Sequence, residues 1–225
     1  MSQVLDIHLD FRSPYSYLAT PELPALKEDF DIEVHLRFGL PLAICKPDFF
    51  RPDNVQAAVY ILLDWERRAE MLGLPHAWPN PDPIVQSLET LEIADDQPYI
   101  YRATYLGMEA EKRGKGIEFA TEVFRLIFGG TENWHTGEHL QDAAERCGLN
   151  FSELEEAIKD TSPYDREIAE NFRARKRDGH WGVPTFVFNG EPFFGQDRIE
   201  TLRWRLDKLG LRRKGESCMT SKGSG

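Results

Sequence analysis

The chain contains no Cys-x-x-Cys pair: its three cysteines, Cys45, Cys147 and Cys218, are odd in number and far apart. That excludes a dithiol redox motif and suggests no disulfide framework. No window approaches the roughly 18 apolar residues that a membrane span needs. The opening MSQVLDIHLD carries neither the basic nor the apolar region of a secretion signal. Basic residues are in the minority, 27 against 38 acidic ones, and the net charge of −11 repels phosphate backbones and anionic lipid surfaces. Neither nucleic acid nor a membrane is therefore expected as a partner, and a reducing, cytoplasmic location fits these absences together. Hydrophobic residues nonetheless make up 41% of the 225, enough for a real core in one domain, or in one domain with a large insertion.

Residues 4–11 alternate Leu5, Ile7, Leu9 and Phe11 with Asp6, His8 and Asp10, the period of a strand. Ser13-Pro14 then marks a helix start, because proline at the first helical position loses nothing and a preceding serine can cap free N–H groups. Residues 15–29 read as that helix, with a kink or restart at Pro21 and Pro24. Residues 31–38 space Ile32, Val34, Leu36 and Phe38 by two and predict a second strand. From 40 to 179 helical patterns take over. Val55, Val59, Leu62, Glu66, Ala69 and Leu72 mark one apolar-leaning stripe; further helices are predicted over 99–113, 116–128, 137–147, 151–159 and 162–177. The proline-rich stretch 73–86 reads as an ordered loop. After Gly182, β-prone runs at 185–188 and 191–194 flank Asn189-Gly190, which favours a type I′ hairpin turn. An amphipathic helix is predicted over 196–209, and 211–225 reads as a disordered tail. This order predicts an α/β, thioredoxin-like fold. Residues 1–39 and 180–210 would form its core, and 40–179 a large inserted helical subdomain.

Two short segments concentrate the chemistry: Phe11-Arg12-Ser13-Pro14-Tyr15-Ser16 at the strand–helix junction, and Gly182-Val183-Pro184-Thr185-Phe186 at the entry to the hairpin. In a thioredoxin-like sheet these face one another, with Pro184 cis and Val183 offering backbone groups to an extended thiol peptide. SPYS stands where disulfide oxidoreductases of the DsbA type carry CPxC. DFRSPYSYLA, GVPTFVFNG, FFGQDRIETL, LLDWERRAEMLGLP and GEHLQDAAERCGL resemble the corresponding segments of 2-hydroxychromene-2-carboxylate isomerases and kappa-class glutathione transferases, so the resemblance spans most of residues 4–209.

That resemblance implies a DsbA-like fold and glutathione as cofactor, its backbone paired with Val183 beside Pro184 and its sulfur at Ser13. Gln196 and Asp197, at the start of the last helix, would hold the γ-glutamyl end. The implied reaction is isomerisation of an aromatic or conjugated small molecule, with Ser13 stabilising a thiolate rather than attacking; no His or Asp beside it in sequence offers the base that a serine nucleophile needs. Related enzymes are commonly dimers, and a homodimer is an open expectation here. A kappa-type transferase or peroxidase, in which the thiolate leaves on the product, is the alternative, as is a thiol-binding protein without redox cysteines. The chain departs from the family pattern at Ala57-Ala58-Val59-Tyr60, where a Lys shortly before the Tyr is missing. Asn54 is the candidate for an Asn in the preceding loop.

Tyr15, Tyr17, Phe38, Trp181 and Phe194 could wall a flat substrate, although aromatic residues beside strands commonly belong to a core. His135-Thr136-Gly137-Glu138-His139 spells HxxEH, but Thr136 reads as the cap of the next helix, leaving His135 outside it, and no metal site is expected. Ser16 reads as a solvated first-turn residue. Arg173, Arg175, Lys176 and Arg177 read as a solvated helix end, where cations suit the dipole.

Overall fold

The computed structural model describes residues 3–46, 55–87, 90, 92–136 and 138–213; Asn54, Gly137, Cys218 and the tail beyond 213 lie outside the described residues. Strands β1 (Val4–Leu9) and β2 (Glu33–Phe38) run parallel, with Ile7 opposite Leu36. A hairpin of β3 (Thr185–Phe188) and β4 (Glu191–Phe194) joins β1 antiparallel through β3, placing Phe186 opposite Ile7. The sheet order is β2-β1-β3-β4, as expected of a thioredoxin-like core. β1 lies between two neighbours and buries Ile7 and Leu9 as well as His8, so both its faces are covered. Asn189 and Gly190 adopt φ of 51° and 78°, the left-handed pair that a type I′ turn requires.

Helix α1 (Pro14–Ala19) lasts six residues. The chain then tightens into a 3-10 turn at Thr20–Glu22 and resumes as α2 (Leu23–Asp29), because Pro21 and Pro24 have no N–H to return to the preceding turn. Between β2 and β3 come α3 (Leu42–Cys45), α4 (Val55–Leu72), α5 (Pro98–Lys112), α6 (Gly116–Phe128), α7 (His139–Arg146), α8 (Phe151–Ala157) and α9 (Ser162–Arg177); α10 (Ile199–Lys208) follows β4. Phe124 of α6 meets Phe11 with ring centroids 4.9 Å apart, and Phe128 stacks on Tyr17 at 5.5 Å. A single hydrophobic cluster thus continues from the strands into the helices. On β2, at the sheet's edge, the Leu36 N–H donates to Glu111 of α5 at 3.1 Å, which satisfies a strand group the sheet leaves unpaired.

Four expectations are corrected. On α4 the buried places go to Trp65 and Ala69, while Val59, Leu62 and Leu72 are exposed; the indole of Trp65, edge-on to Phe128, takes the inward position. Thr136 caps no helix: its hydroxyl donates to the Asn133 carbonyl, and α7 begins at His139. Leu211 packs on the core and Arg213 donates its N–H to the Asp29 carbonyl, so the described part of the tail is ordered. Phe38 is fully buried, its ring 5.4 Å from Phe11, and is a core residue rather than part of a substrate wall. Among the described residues no helix is long and apolar enough to cross a membrane.

Gly107 of α5 lies under the Phe11 and Phe38 rings; a Cβ there would come within 2.8 Å of Phe38 and 2.9 Å of Phe11. Alanine favours a helix by up to about 1 kcal/mol, but overpacking a filled core costs about 1–3 kcal/mol, and neither ring has room to retreat. Gly107→Ala is therefore expected to lower stability by about 1–2 kcal/mol, read from the midpoint of urea unfolding.

Candidate active site

Ser13 occupies the N-cap of α1, and its Oγ accepts the Ser16 N–H at 3.1 Å. The same hydroxyl donates to the carbonyl oxygen of Val183 at 3.3 Å. The peptide bond from Val183 to Pro184 is cis. The Val183 N–H has no hydrogen-bond partner among the described residues. The β1–α1 junction and the entry to β3 are thus joined through one hydroxyl, and both Ser13 and Val183 line a cavity of about 1070 Å³.

Three polar links build the cavity wall. Tyr15 donates to Asp64 of α4 at 3.0 Å. The Arg12 guanidinium forks onto Asp82 at 2.8 and 3.0 Å, fixing the 73–86 loop to the junction. Arg68 of α4 donates to Gln196 at 3.0 Å, spanning from the helical block to the end of β4. Beside Gln196, Asp197 pairs with Arg198 at 3.3 Å. Gly195 makes this possible: its φ is 103°, and a Cβ there would meet an Asp197 carboxylate oxygen at 2.5 Å. Trp181 and Phe194 line the cavity as partly exposed rings, each stacked on His180 and 6.3 Å from one another. Gly182 leaves room for Phe194, whose ring a Cβ would strike at 2.5 Å.

The cavity therefore gathers Ser13, Val183, Gln196, Asp197, Tyr15 and Trp181, with Pro184 next to Val183. Tyr17 is not among its walls. It is buried, its hydroxyl donates to the Pro75 carbonyl at 2.6 Å, and it belongs to the core with Phe38. Ser16, expected in solvent, is buried too, because α1 packs against α4 and α6, and its Oγ has no partner among the described residues. Among the lining residues that the sequence does not point to are two buried charged ones. Asp10 follows β1 and is fully buried at the cavity's inner wall; its alternation with Leu9 and Phe11 reads as an outward strand position, and only the turn at the junction brings it in. Arg175, expected in solvent, is buried. Its signal was legible, since Tyr164, Ile168, Asn171 and Arg175 share the buried face of α9 at helical spacing.

Comparison with known proteins settles the family. A family model described as a DSBA-like thioredoxin domain matches residues 4–207. The chain belongs to the DSBA-like thioredoxin family. A 2-hydroxychromene-2-carboxylate isomerase from Pseudomonas putida is 24% identical over 211 residues, covering 92% of this chain and 95% of that one. Among solved structures, a 2-hydroxychromene-2-carboxylate isomerase superposes with a TM-score of 0.66 at 21% identity, covering 92% of this chain and 96% of its own. A cytosolic disulfide reductase, DsbM from Pseudomonas aeruginosa, solved with GSH, superposes with a TM-score of 0.57 at 19% identity, with 92% and 98% covered. These likenesses carry the DsbA-like fold. Within it, this chain has serine at both positions of the Ser13-Pro-Tyr-Ser16 turn, and its described cysteines, Cys45 and Cys147, are unpaired and elsewhere.

Burial raises the Asp10 carboxyl from 3.8 to about 6, against the opposing pull of Arg175 and of the Arg12 N–H that it accepts at 3.0 Å. A carboxyl whose pKa is higher in the folded than in the unfolded state opposes folding once ionised. The cost is absent below about pH 4, grows as pH rises towards 6 and is complete above it. Asp10→Asn, which keeps the acceptor oxygen, is expected to be more stable than the wild type by up to about 3 kcal/mol above pH 6. The gap should close as pH falls to about 4, measured as the difference between paired denaturation curves across that range.

Proposed function

We propose that this chain is a glutathione-dependent isomerase acting on a conjugated or aromatic carboxylate, as the names of its 2-hydroxychromene-2-carboxylate isomerase relatives suggest. The observation that carries the reading is the Ser13 hydroxyl, held at the open cavity within 3.3 Å of the Val183 carbonyl. The residues present fit a tripeptide thiol. Val183 presents an unpaired N–H and a lightly bonded carbonyl to an extended backbone, and Gln196, Asp197 and Arg198 lie further along the same cavity for an amino-acid end group. Bound glutathione would supply a soft thiolate that adds to a conjugated ring and leaves it again, so that none is consumed.

Ser13 has one proton to give. At 3.3 Å its bond to Val183 is longer than the usual 2.5–3.0 Å for a hydroxyl donor and is correspondingly weak. An amide N–H arriving at the Val183 carbonyl takes over as donor, and the Ser13 proton is free to turn to a sulfur in the cavity. A hydrogen bond to a charged acceptor is worth about 1.5–3 kcal/mol, or about one to two pKa units. That brings a thiol of ordinary pKa near 8.5 close to neutrality. The six residues of α1 make its end a weaker source of positive potential than a long helix, so the hydroxyl carries most of the stabilisation. With serine at both turn positions, thiol–disulfide exchange has no sulfur of the protein's own to use there.

Ser13→Ala is expected to lower turnover about tenfold to a hundredfold. It should also move the ultraviolet thiolate signal of bound glutathione to higher pH, a readout that loss of the helix cap alone does not produce. Total thiol that stays constant over many turnovers supports isomerisation; thiol that falls with product identifies a transferase.

A further inference from the structure

Among the described residues four guanidinium groups line the cavity: Arg12 is paired with Asp82 and Arg198 with Asp197, and Arg68 donates to the neutral amide of Gln196 while its Nε has no partner. The fourth, Arg175 of α9, is 4% exposed and has neither a hydrogen bond nor an ion pair from its side chain among the described residues. Its contact is the ring of Phe172, 5.6 Å from the guanidinium carbon. Titratable groups surround it at longer range: Asp10 and His8 from the β1 segment, Cys45 from α3, and His180. Of those with a negative charge to offer, Asp178 is engaged with His8, while Asp10, which accepts the Arg12 N–H, attracts Arg175 with no hydrogen bond or ion pair between the two side chains. A desolvated cation that no carboxylate among the described residues hydrogen-bonds is costly, and this one borders open space.

The sheet order locates it. An added Cβ at Gly39, the residue after β2, would lie 3.8 Å from Arg175 Nη1. Ser13 follows β1, Val183 precedes β3, and Gln196 and Asp197 follow β4. All four strands meet the cavity along one edge in the order β2-β1-β3-β4. Arg175 therefore lies on one side of Ser13, and the Gln196–Asp197 pair on the other.

We propose that Arg175 is the anion subsite for the second substrate, a planar conjugated or aromatic carboxylate whose carboxylate sits on this guanidinium and whose ring extends towards Ser13. The proposal deepens the isomerase reading and rests on it for the placement of the sulfur. The fork of a guanidinium matches a carboxylate, and Leu42 and Ala43 of α3, the helix that also carries Cys45, supply apolar wall to the same cavity. The chain's net charge of −11 disfavours anions at large, so a preference for one here speaks for a local cation.

Calorimetric titration of the full chain with naphthalene-2-carboxylate and its neutral analogue naphthalene-2-carboxamide tests the subsite without knowledge of the natural substrate. The carboxylate is expected to bind the wild type about tenfold to a hundredfold more tightly than the amide. The ratio should fall to about one in Arg175→Met and at least about threefold in Arg175→Lys, which keeps the charge and loses the fork. Equal binding of the two probes to the wild type, or an unchanged ratio in whichever variant folds, overturns the proposal. So does weaker glutathione binding in Arg175→Lys with the probe ratio intact, which would give Arg175 to the tripeptide's own carboxylate. Glutathione titrated into the wild type separates the two readings. If it fails to bind while the probes are discriminated, the isomerase reading falls and the anion subsite stands; the converse pattern does the reverse.

Discussion

The hydroxyl of Ser13 ties two distant parts of the chain together. It accepts the Ser16 N–H that opens α1 and donates to Val183 at the entry to β3, so the start of the first helix and the start of the hairpin are held in register across 170 residues. The rest of the site is arranged around that link. The loop fixed by Arg12, the helix fixed by Tyr15 and the β4 end fixed by Arg68 each attach one wall of the cavity to a residue near it. Because the bond is long for a hydroxyl donor, the link is also the part of the wall most readily exchanged for a ligand's own hydrogen bond.

The electrostatics of the cavity are uneven from one end to the other. Towards β4 Asp197 is paired with Arg198, and Arg68 donates to the neutral amide of Gln196. Towards β2 a buried cation faces a buried carboxyl whose pKa is raised to about 6, and the two do not pair. Buried charges without a direct bond between them are held only at the expense of other interactions, and perturbed groups of this kind cluster at functional sites.

Much of this was readable beforehand for a physical reason. The strands, the hairpin turn at Asn189-Gly190 and the helices at 116–128 and 162–177 follow from periodicity and turn chemistry, which act locally. The break near Pro21 and Pro24 follows from the missing N–H groups. The pairing of Ser13 with Val183 was legible because the fold itself brings those segments together. Position on a helix face was less so. One tryptophan, Trp65, decided which side of α4 turned inward, and a pattern that weighs Val59 and Leu62 equally with it points the wrong way. Tyr17 and Phe38 were ambiguous between wall and core because an aromatic ring suits both, and only their contacts with Pro75 and Phe11 separate the cases. Arg175 was misread because charge was given more weight than its place in the 164–168–171–175 series.

Phe11 stands two residues before Ser13 and is wedged between Phe38 of β2 and Phe124 of α6. The Ser13 hydroxyl is thus carried on a short stem rooted in packed aromatic rings, so its aim depends on side chains that do not line the cavity. Changes of size at those buried positions act as fine adjustment of where that hydroxyl points. The shape of the cavity can therefore be altered from the interior while every residue facing it stays the same.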